Sequence, residues 1–461
     1  MHNKPQTQTI NRQMRSYRGA PIIGPLLEMR RDFLGFFTKI HRECGDLVHM
    51  HVGPQQLFFL GHPDHAQHVL VDNLRNYEKE TKGYNALRRL LGNGLVTSSG
   101  EFWQRQRRIA QPAFRRQRVE AFALLMVKAT QDMCDSWQAR IDQKQPIDFA
   151  TEMMKVTLRI VSETLMSTDV SADAGEIAPA LHELLKQNVD DITMLFRAPD
   201  FVPTPRNRRF VKAKATLDRI VLGMIAQRRQ DEKDHGDLLS MLMAKDEQTG
   251  ESMTDLQLRD EVMTIFLAGH ETTANALGWT CHQLTLHPEM ADRARQEVDD
   301  ALQGRAPTVQ DLQHLPYVSA VLKESMRLFP PVWVLARSVV QDDVIDQTPI
   351  PKGAYVFLSQ YTVHRHPDFW DRPEVFDPLR WLHDDQKTES KLPHKYMYFP
   401  FSTGARKCIG DHFATMEAIL ILAVLLQRVQ WQLVVGHPVE LEPVVTLRPK
   451  HGLQMQVQAR N

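Results

Sequence analysis

The decapeptide FSTGARKCIG, residues 401–410, constrains this chain more than any other stretch. It sets one of only four cysteines two or three residues before a helix expected from about residue 411. Backbone N–H groups at a helix start carry partial positive charge and favour an anion. A thiol there is expected to have a lowered pKa and to serve as a thiolate. Gly404 and Gly410 remove side chains on both sides, so a flat group can come close to the backbone. Arg406 adds a fixed cation two residues before the sulfur. A thiolate, bare backbone and a nearby Arg suit the axial face of a haem, whose propionates need cations. A lone cysteine before a helix is ordinarily a buried free thiol. The five positions F-x-x-G-x-R-x-C-x-G together would match by chance in a chain this long only about once in 10⁴.

The other cysteines, Cys44, Cys134 and Cys281, lie far apart with no CxxC or metal-knuckle spacing. That pattern fits free thiols in a reducing compartment, and a cytoplasmic location is expected. With 56 basic and 56 acidic residues, the net charge gives no reason to expect nucleic acid or adsorption to a membrane surface. The start, MHNKPQTQTINRQMRSYRGAPIIGP, has neither a signal-peptide core nor a spanning segment, so no transmembrane anchor is expected. The longest pure apolar run, AILILAVLL at 418–426, is too short to cross a bilayer and reads as a buried helix. No linker, repeat or charge block divides the chain. Residues 1–19 are expected to be a flexible polar segment and residues 20–461 a single domain.

Residues 45–63 read as a β-hairpin around a Gly-Pro. Most of 64–330 has helical periodicity, with breaks at LGNGLVTSSG and FRAPDFVPTPRNRR. Short strands are expected over 331–361 and ordered coil over 364–404. A helix from 411 and a β-rich tail close the chain. The fold class is mainly α with a small β portion.

The decapeptide resembles the haem-binding signature of the cytochrome P-450 haem-thiolate monooxygenases. The resemblance implies a haem b whose iron takes Cys408 as axial thiolate. It also implies that the thiolate pushes electron density onto iron to favour O–O cleavage, and that Phe401, Arg406 and Gly410 border the haem. Three further constellations fit. In KESMRL, Glu324 and Arg327 stand at i and i+3 and share a helix face. An isolated E-x-x-R would be a surface pair. Followed by FPPVW and EVFDPLRW, it is similar to the family's buried ion cluster, with Arg380 as third member. In FLAGHETTANALGW, an acid stands beside an alcohol in mid-helix, where a Thr hydroxyl can bond the carbonyl one turn back. This is a core helix with a polar stripe, or it resembles the family's A-G-x-[DE]-T-[TS] segment over the haem. The latter gives Thr272 the alcohol role and Glu271 the acid role in dioxygen activation, sets Ala268 against the haem and leaves His270 with none. In GEFWQRQRRIAQPAF, Trp103 and Arg107 are four apart. That is an amphipathic basic helix, or the family's W-x-x-x-R contact to a haem propionate. Arg337 matches a further propionate contact.

The resemblance spans about residues 20–460 and implies an O₂-dependent monooxygenase, with a peroxide-dependent peroxygenase or isomerase, or a haem sensor, as alternatives. NAD(P)H electrons would arrive through a separate ferredoxin or flavodoxin and its reductase. Arg105, Arg115, Arg116 and Lys407 are candidates for a cationic docking patch, against scattered solvated charge. The substrate pocket is expected from residues 82–96 and 185–210, from Thr264, Ile265 and Ala268, and from Val332, Val334 and Leu335, with Val445 and Thr446 adding a wall. Such a lining suits an apolar fatty acid, terpenoid or similar lipid. Lys82, Arg88 or Arg89 could anchor a carboxylate, though solvated loop charges are the plainer reading. A monomer is expected.

Overall fold

The apolar run around Gly53-Pro54 folds as the expected hairpin. Strand β1 (Leu47–Val52) pairs antiparallel with β2 (Gln55–Leu60), Leu47 facing Leu60, and Gly53 takes the turn at φ +56°. Two later strands, β3 (Leu335–Val339) and β4 (Tyr355–Leu358), extend this sheet, β4 running parallel to β2 and antiparallel to β3. Two-residue strands, Arg15–Ser16 and Tyr77–Glu78, form its edges. This computed structural model describes residues 14–168, 173–194, 198–231, 235–245, 250–382 and 392–460. Most of the expected N-terminal segment, residues 1–13, lies outside them, whereas Arg15–Ser16 pairs with Val48–His49.

The rest is mainly helical, as expected. The helices that shape the site are α1 (Lys82–Leu91), α2 (Gly100–Ala110), α3 (Phe149–Leu165), α4 (Ala174–Thr193), α5 (Asp255–Leu286), α6 (Pro316–Leu328) and α7 (Asp411–Arg428). The first break, LGNGLVTSSG, falls between α1 and α2 and is pinned to α5, with Asn93 N–H donating to Asp260 Oδ2 and Leu95 N–H to Glu261 Oε2. A capping box starts α5: Gln257 N–H donates to Thr254 Oγ1, and Gln257 Oε1 accepts from Thr254 N–H. Its 32 residues then run unbroken through both threonines. Gly269 lets α3 lie close, because a Cβ there would sit 2.9 Å from Val161 Cγ2. Helix α7 is buried along nearly all of Phe413–Leu426, as the AILILAVLL run requires. The core wraps α5, α6 and α7, and a second apolar cluster packs on the sheet. No described helix is long and apolar enough to cross a membrane.

Candidate active site

The cysteine loop is shaped by its backbone. Cys408 N–H donates to Phe401 O at 2.9 Å, closing the loop on itself. Gly404 turns at φ +68°, and a Cβ there would lie 2.1 Å from Leu70 O, so only glycine fits without rearrangement. Gly410 caps α7, whose first residue is Asp411. Arg107, from α2, donates to Lys407 O at 2.8 Å and ties that helix to the loop. Cys408 lies inside the protein and lines a cavity of about 490 Å³ that the loop shares with α5. Phe401, Arg406 and Gly410 line the same cavity.

The thiol departs from the expectation. Burial pushes the Cys408 pKa up, against the lowering by the Gly410 backbone and by Arg107 and Lys407. Desolvation outweighs the helix start. A thiolate here would depend on a bound metal cation, which deprotonates a coordinating thiol outright.

One end of the cavity carries an excess of cations. Arg337 and Arg406 line it, with Lys79 from the edge of the sheet. Lys79 is buried and donates to Val96 O at 2.7 Å. Its pKa is held well below the usual lysine range by burial first, then by Arg337, Arg406 and Arg107. The Arg406 pKa falls to about 10, chiefly through burial, with Arg337 as the next cause. Arg406 donates to Ser98 O and stacks 3.8 Å above the Trp103 ring, while Arg337 donates to Tyr84 Oη and Ala336 O. Trp103 and Arg107 therefore stand behind Arg406. Among the described residues, the oxygens that accept from Lys79, Arg107, Arg337 and Arg406 are all uncharged. Two arginines and a desolvated lysine crowded at one end of a large cavity fit a dianionic group such as a pair of propionates. Exchange of Lys79 for Met is therefore expected to stabilise the apo chain towards heat and to speed haem loss from the loaded one. A lower apo melting temperature would remove Lys79 from that role.

Across the cavity stands α5. Ala268, Thr272 and Ile265 line it, and Ala268 is exposed although the central stretch of α5 around it is almost wholly buried, because it borders this space. Thr272 Oγ1 donates to Ala268 O at 2.8 Å, one turn back. Glu271 points elsewhere. It is 2 % exposed, and its Oε1 accepts from Thr446 Oγ1 at 2.7 Å. Burial raises its pKa, against the lowering by the Thr446 bond and by Arg448. His270 is buried, its ring against Phe266 O, and burial lowers its pKa to about 4, so it is neutral.

Behind the site, Arg327 and Glu324 are fully buried and doubly bonded to each other, at 2.9 and 2.8 Å. The remaining Arg327 donors go to His364 O, Pro373 O and Val375 O. Glu324 also accepts from Arg380 Nε, Asp377 N–H and Trp381 Nε1.

The pocket wall follows the sequence reading in part. Val332, Val334, Leu335 and Val445 line the cavity, as do Lys82 and Leu87 of α1 and Val189 of α4. Two expectations need correcting. Thr264 does not line it but packs against the loop before α2, where a Cβ on Gly94 would lie 2.2 Å from Thr264 Oγ1. Thr446 does not line it either, because its hydroxyl turns to Glu271 and takes a bond from Asn275 Nδ2. Arg88 and Arg89 face acids, Glu80 for one and Asp191 and Asp200 for the other, and neither reaches the cavity. Part of the 185–210 segment, residues 195–197, is outside the described residues. Sequence reasoning missed Lys79 at the cationic end and Leu26, Met29 and Phe33 among the apolar walls, whereas Tyr84 falls within the expected 82–96 lining. The polar spacing in NYEKETKGY carries no signal that could have singled out Lys79.

Comparison with known proteins agrees with this geometry. The sequence model of the family described as Cytochrome P450 matches residues 14–457. The chain is 36 % identical over 436 residues to cyclooctatin synthase of Streptomyces melanosporofaciens, covering 93 % of this chain and 92 % of that protein. It is 35 % identical over 418 residues to cyclooctat-9-en-7-ol 5-monooxygenase of the same organism, covering 90 % and 88 %. Pentalenene oxygenase of Streptomyces avermitilis is 32 % identical over 437 residues, with 95 % of each chain covered.

Proposed function

This chain belongs to the cytochrome P450 family and is an oxidoreductase of that family, and on that premise we propose that it is a monooxygenase inserting one atom of O₂ into a C–H or C=C bond of a terpenoid. The observation that supports an apolar substrate is the cavity lining, mainly aliphatic and aromatic side chains around the space that Cys408 and Thr272 share. The names of the three relatives point the same way, two to cyclooctatin chemistry and one to pentalenene.

Members of the family hold haem on a cysteine thiolate, and the group supplies O₂ activation when bound. Here Cys408 would be the ligand, and Arg337, Arg406 and Lys79 would hold the propionates, with Trp103 and Arg107 bracing Arg406. Phe401 and Gly410 would border the loop side and Ala268 the other face. The apolar walls exclude water and orient the substrate. Thr272 presents its hydroxyl to the cavity and so can hold a proton donor there. Burial shifts Glu271 towards its neutral form, with Thr446 Oγ1 donating to its Oε1. Delivery through it requires its side chain to leave Thr446. Residues 20–461 act as one domain in this reading.

Thr272→Ala is expected to leave haem content and substrate binding nearly intact. Product formed per NAD(P)H should fall roughly a hundredfold, the lower end of what a positioned proton donor contributes. The missing electrons should appear as hydrogen peroxide. Reconstitution with a ferredoxin or flavodoxin and its reductase, fed pentalenene, tests this together with the reaction. Unchanged coupling would contradict the role of Thr272, and absence of oxygenated product from a panel of terpene hydrocarbons and terpene alcohols, pentalenene included, would contradict the substrate class. The donor is expected at the basic side of the cysteine loop. The patch is weaker than the sequence implies, since Lys407 pairs with Asp411 and Arg116 with Glu120. Arg115 stays exposed, and steering by such charges should weaken as salt rises.

A further inference from the structure

A hairpin in the β-rich tail joins the cavity to the buried acid behind α5. Its strands, β5 (Leu441–Pro443) and β6 (Leu447–Pro449), pair with Pro443 facing Leu447, so residues 444–446 form a three-residue tip. Val444 and Val445 line the cavity. Thr446, the next residue, is 4 % exposed and meets α5 instead. One peptide link separates a side chain on the cavity wall from the one that bonds Glu271.

The hydrogen bonds around Thr446 fix its direction. Asn275, one turn beyond Glu271 on α5, donates from Nδ2 to Thr446 Oγ1 at 3.2 Å. A hydroxyl carries a single proton, and with Asn275 donating to its oxygen that proton goes to Glu271 Oε1, at 2.7 Å. Arg448 of β6, the cation that bears on Glu271, gives its Nε to Glu442 Oε2 at 2.8 Å. Both ends of the tip are anchored. Trp333 Nε1 donates to Val444 O at 2.9 Å, and Leu447 gives its N–H to Pro331 O and accepts from Trp279 Nε1. Val445 and Thr446 lie between these anchors.

We propose that Thr446 is a positioning residue for proton delivery: it parks Glu271 behind α5 until a substrate presses on Val444 and Val445, moves the tip and releases the carboxyl towards Thr272. This rests on the monooxygenase reading above and on the roles given there to Glu271 and Thr272. A ligand shifts such an equilibrium only if it contacts the two states differently. The tip supplies that difference, because its apolar half stands on the cavity wall while its polar half holds the acid. One neutral hydrogen bond favours the parked position by roughly five- to tenfold, small enough for substrate contact to reverse. Proton supply is then tied to occupancy of the cavity.

The test is the infrared difference spectrum of the haem-loaded ferric chain, in which Glu271→Gln assigns the Glu271 carboxyl band by its loss. Thr446→Val keeps the shape of the side chain without the hydroxyl. It should shift that band in the ligand-free chain, and Thr446→Ser should return the band to its wild-type position. Saturation with cedrol, patchoulol or pentalenene, whichever alters the haem spin state most, should shift the wild-type band in the same direction and leave the Thr446→Val band unmoved. Val445→Trp overfills the cavity side of the tip and should give that shift with no ligand at all. A band that answers neither the ligand nor Val445→Trp, or a ligand-induced shift that persists in Thr446→Val, overturns the inference. If no terpene alters the spin state, the terpenoid reading fails, while Val445→Trp still decides the role of Thr446.

Discussion

Replacing Arg327 by alanine is expected to remove about 3–5 kcal/mol of stability, enough to leave little folded, haem-retaining chain. The magnitude follows from how the cluster is wired. All five guanidinium N–H groups of Arg327 have acceptors, two of them Glu324 oxygens and three of them backbone carbonyls. Neither Arg327 nor Glu324 has any exposed surface. Truncation therefore leaves a buried carboxylate with its main counter-charge gone and three carbonyls of the 364–375 segment without donors. Arg327→Lys should be nearly as harmful, because an ammonium cannot serve five acceptors set out for a planar fork. Arg380→Ala should cost less, about 2 kcal/mol, since it contributes one bond to Glu324 from a partly exposed position. Denaturant melts and haem content per chain would check this order. An Arg327→Ala chain as stable as Arg380→Ala would contradict it.

The same cluster shows what the sequence could and could not disclose. The pair Glu324–Arg327 was legible because i and i+3 share a helix face whatever the rest of the chain does. Arg380 was reached through resemblance. The Trp381 donor was not reached at all, although it is the next residue, because nothing local says which way an indole turns in a stretch of coil. Around the cavity the pattern repeats. Thr272 lines the cavity as the resemblance implied, but Glu271 does not. Its partner Thr446 comes from 175 positions further along the chain, a contact no periodicity encodes. For the same reason Thr446 was expected in the pocket wall and is found behind it. Thr264 was misplaced more simply. Its hydroxyl occupies the space left by Gly94, and which helix face meets a glycine loop depends on packing.

The cysteine offers the clearest lesson about magnitudes. The helix start and the nearby cations are readable in FSTGARKCIG and argue for a thiolate. Burial is not readable there, and in the folded chain it is the larger effect. Lys79 is the counterpart: an unremarkable lysine in sequence that becomes a desolvated cation only when the edge of the sheet brings it beside Arg337 and Arg406.

Cys408 is the one thiol placed to meet a metal in the cavity. The alternatives are poor. Cys134 and Cys281 are buried away from it, with the Cys134 thiol pushed up to about 12 by burial and that of Cys281 raised as well. Cys44 does not line it. No second thiolate can substitute, so the loss on Cys408→Ala is expected to be complete. The most direct measurement is the absorption spectrum of the ferrous carbonyl complex of haem-loaded wild-type and Cys408→Ala chains. The wild-type spectrum should show the red-shifted band that marks thiolate ligation, and the variant should show none of it. A band that survives in Cys408→Ala, or that never forms in the wild-type chain, would contradict the assignment of Cys408.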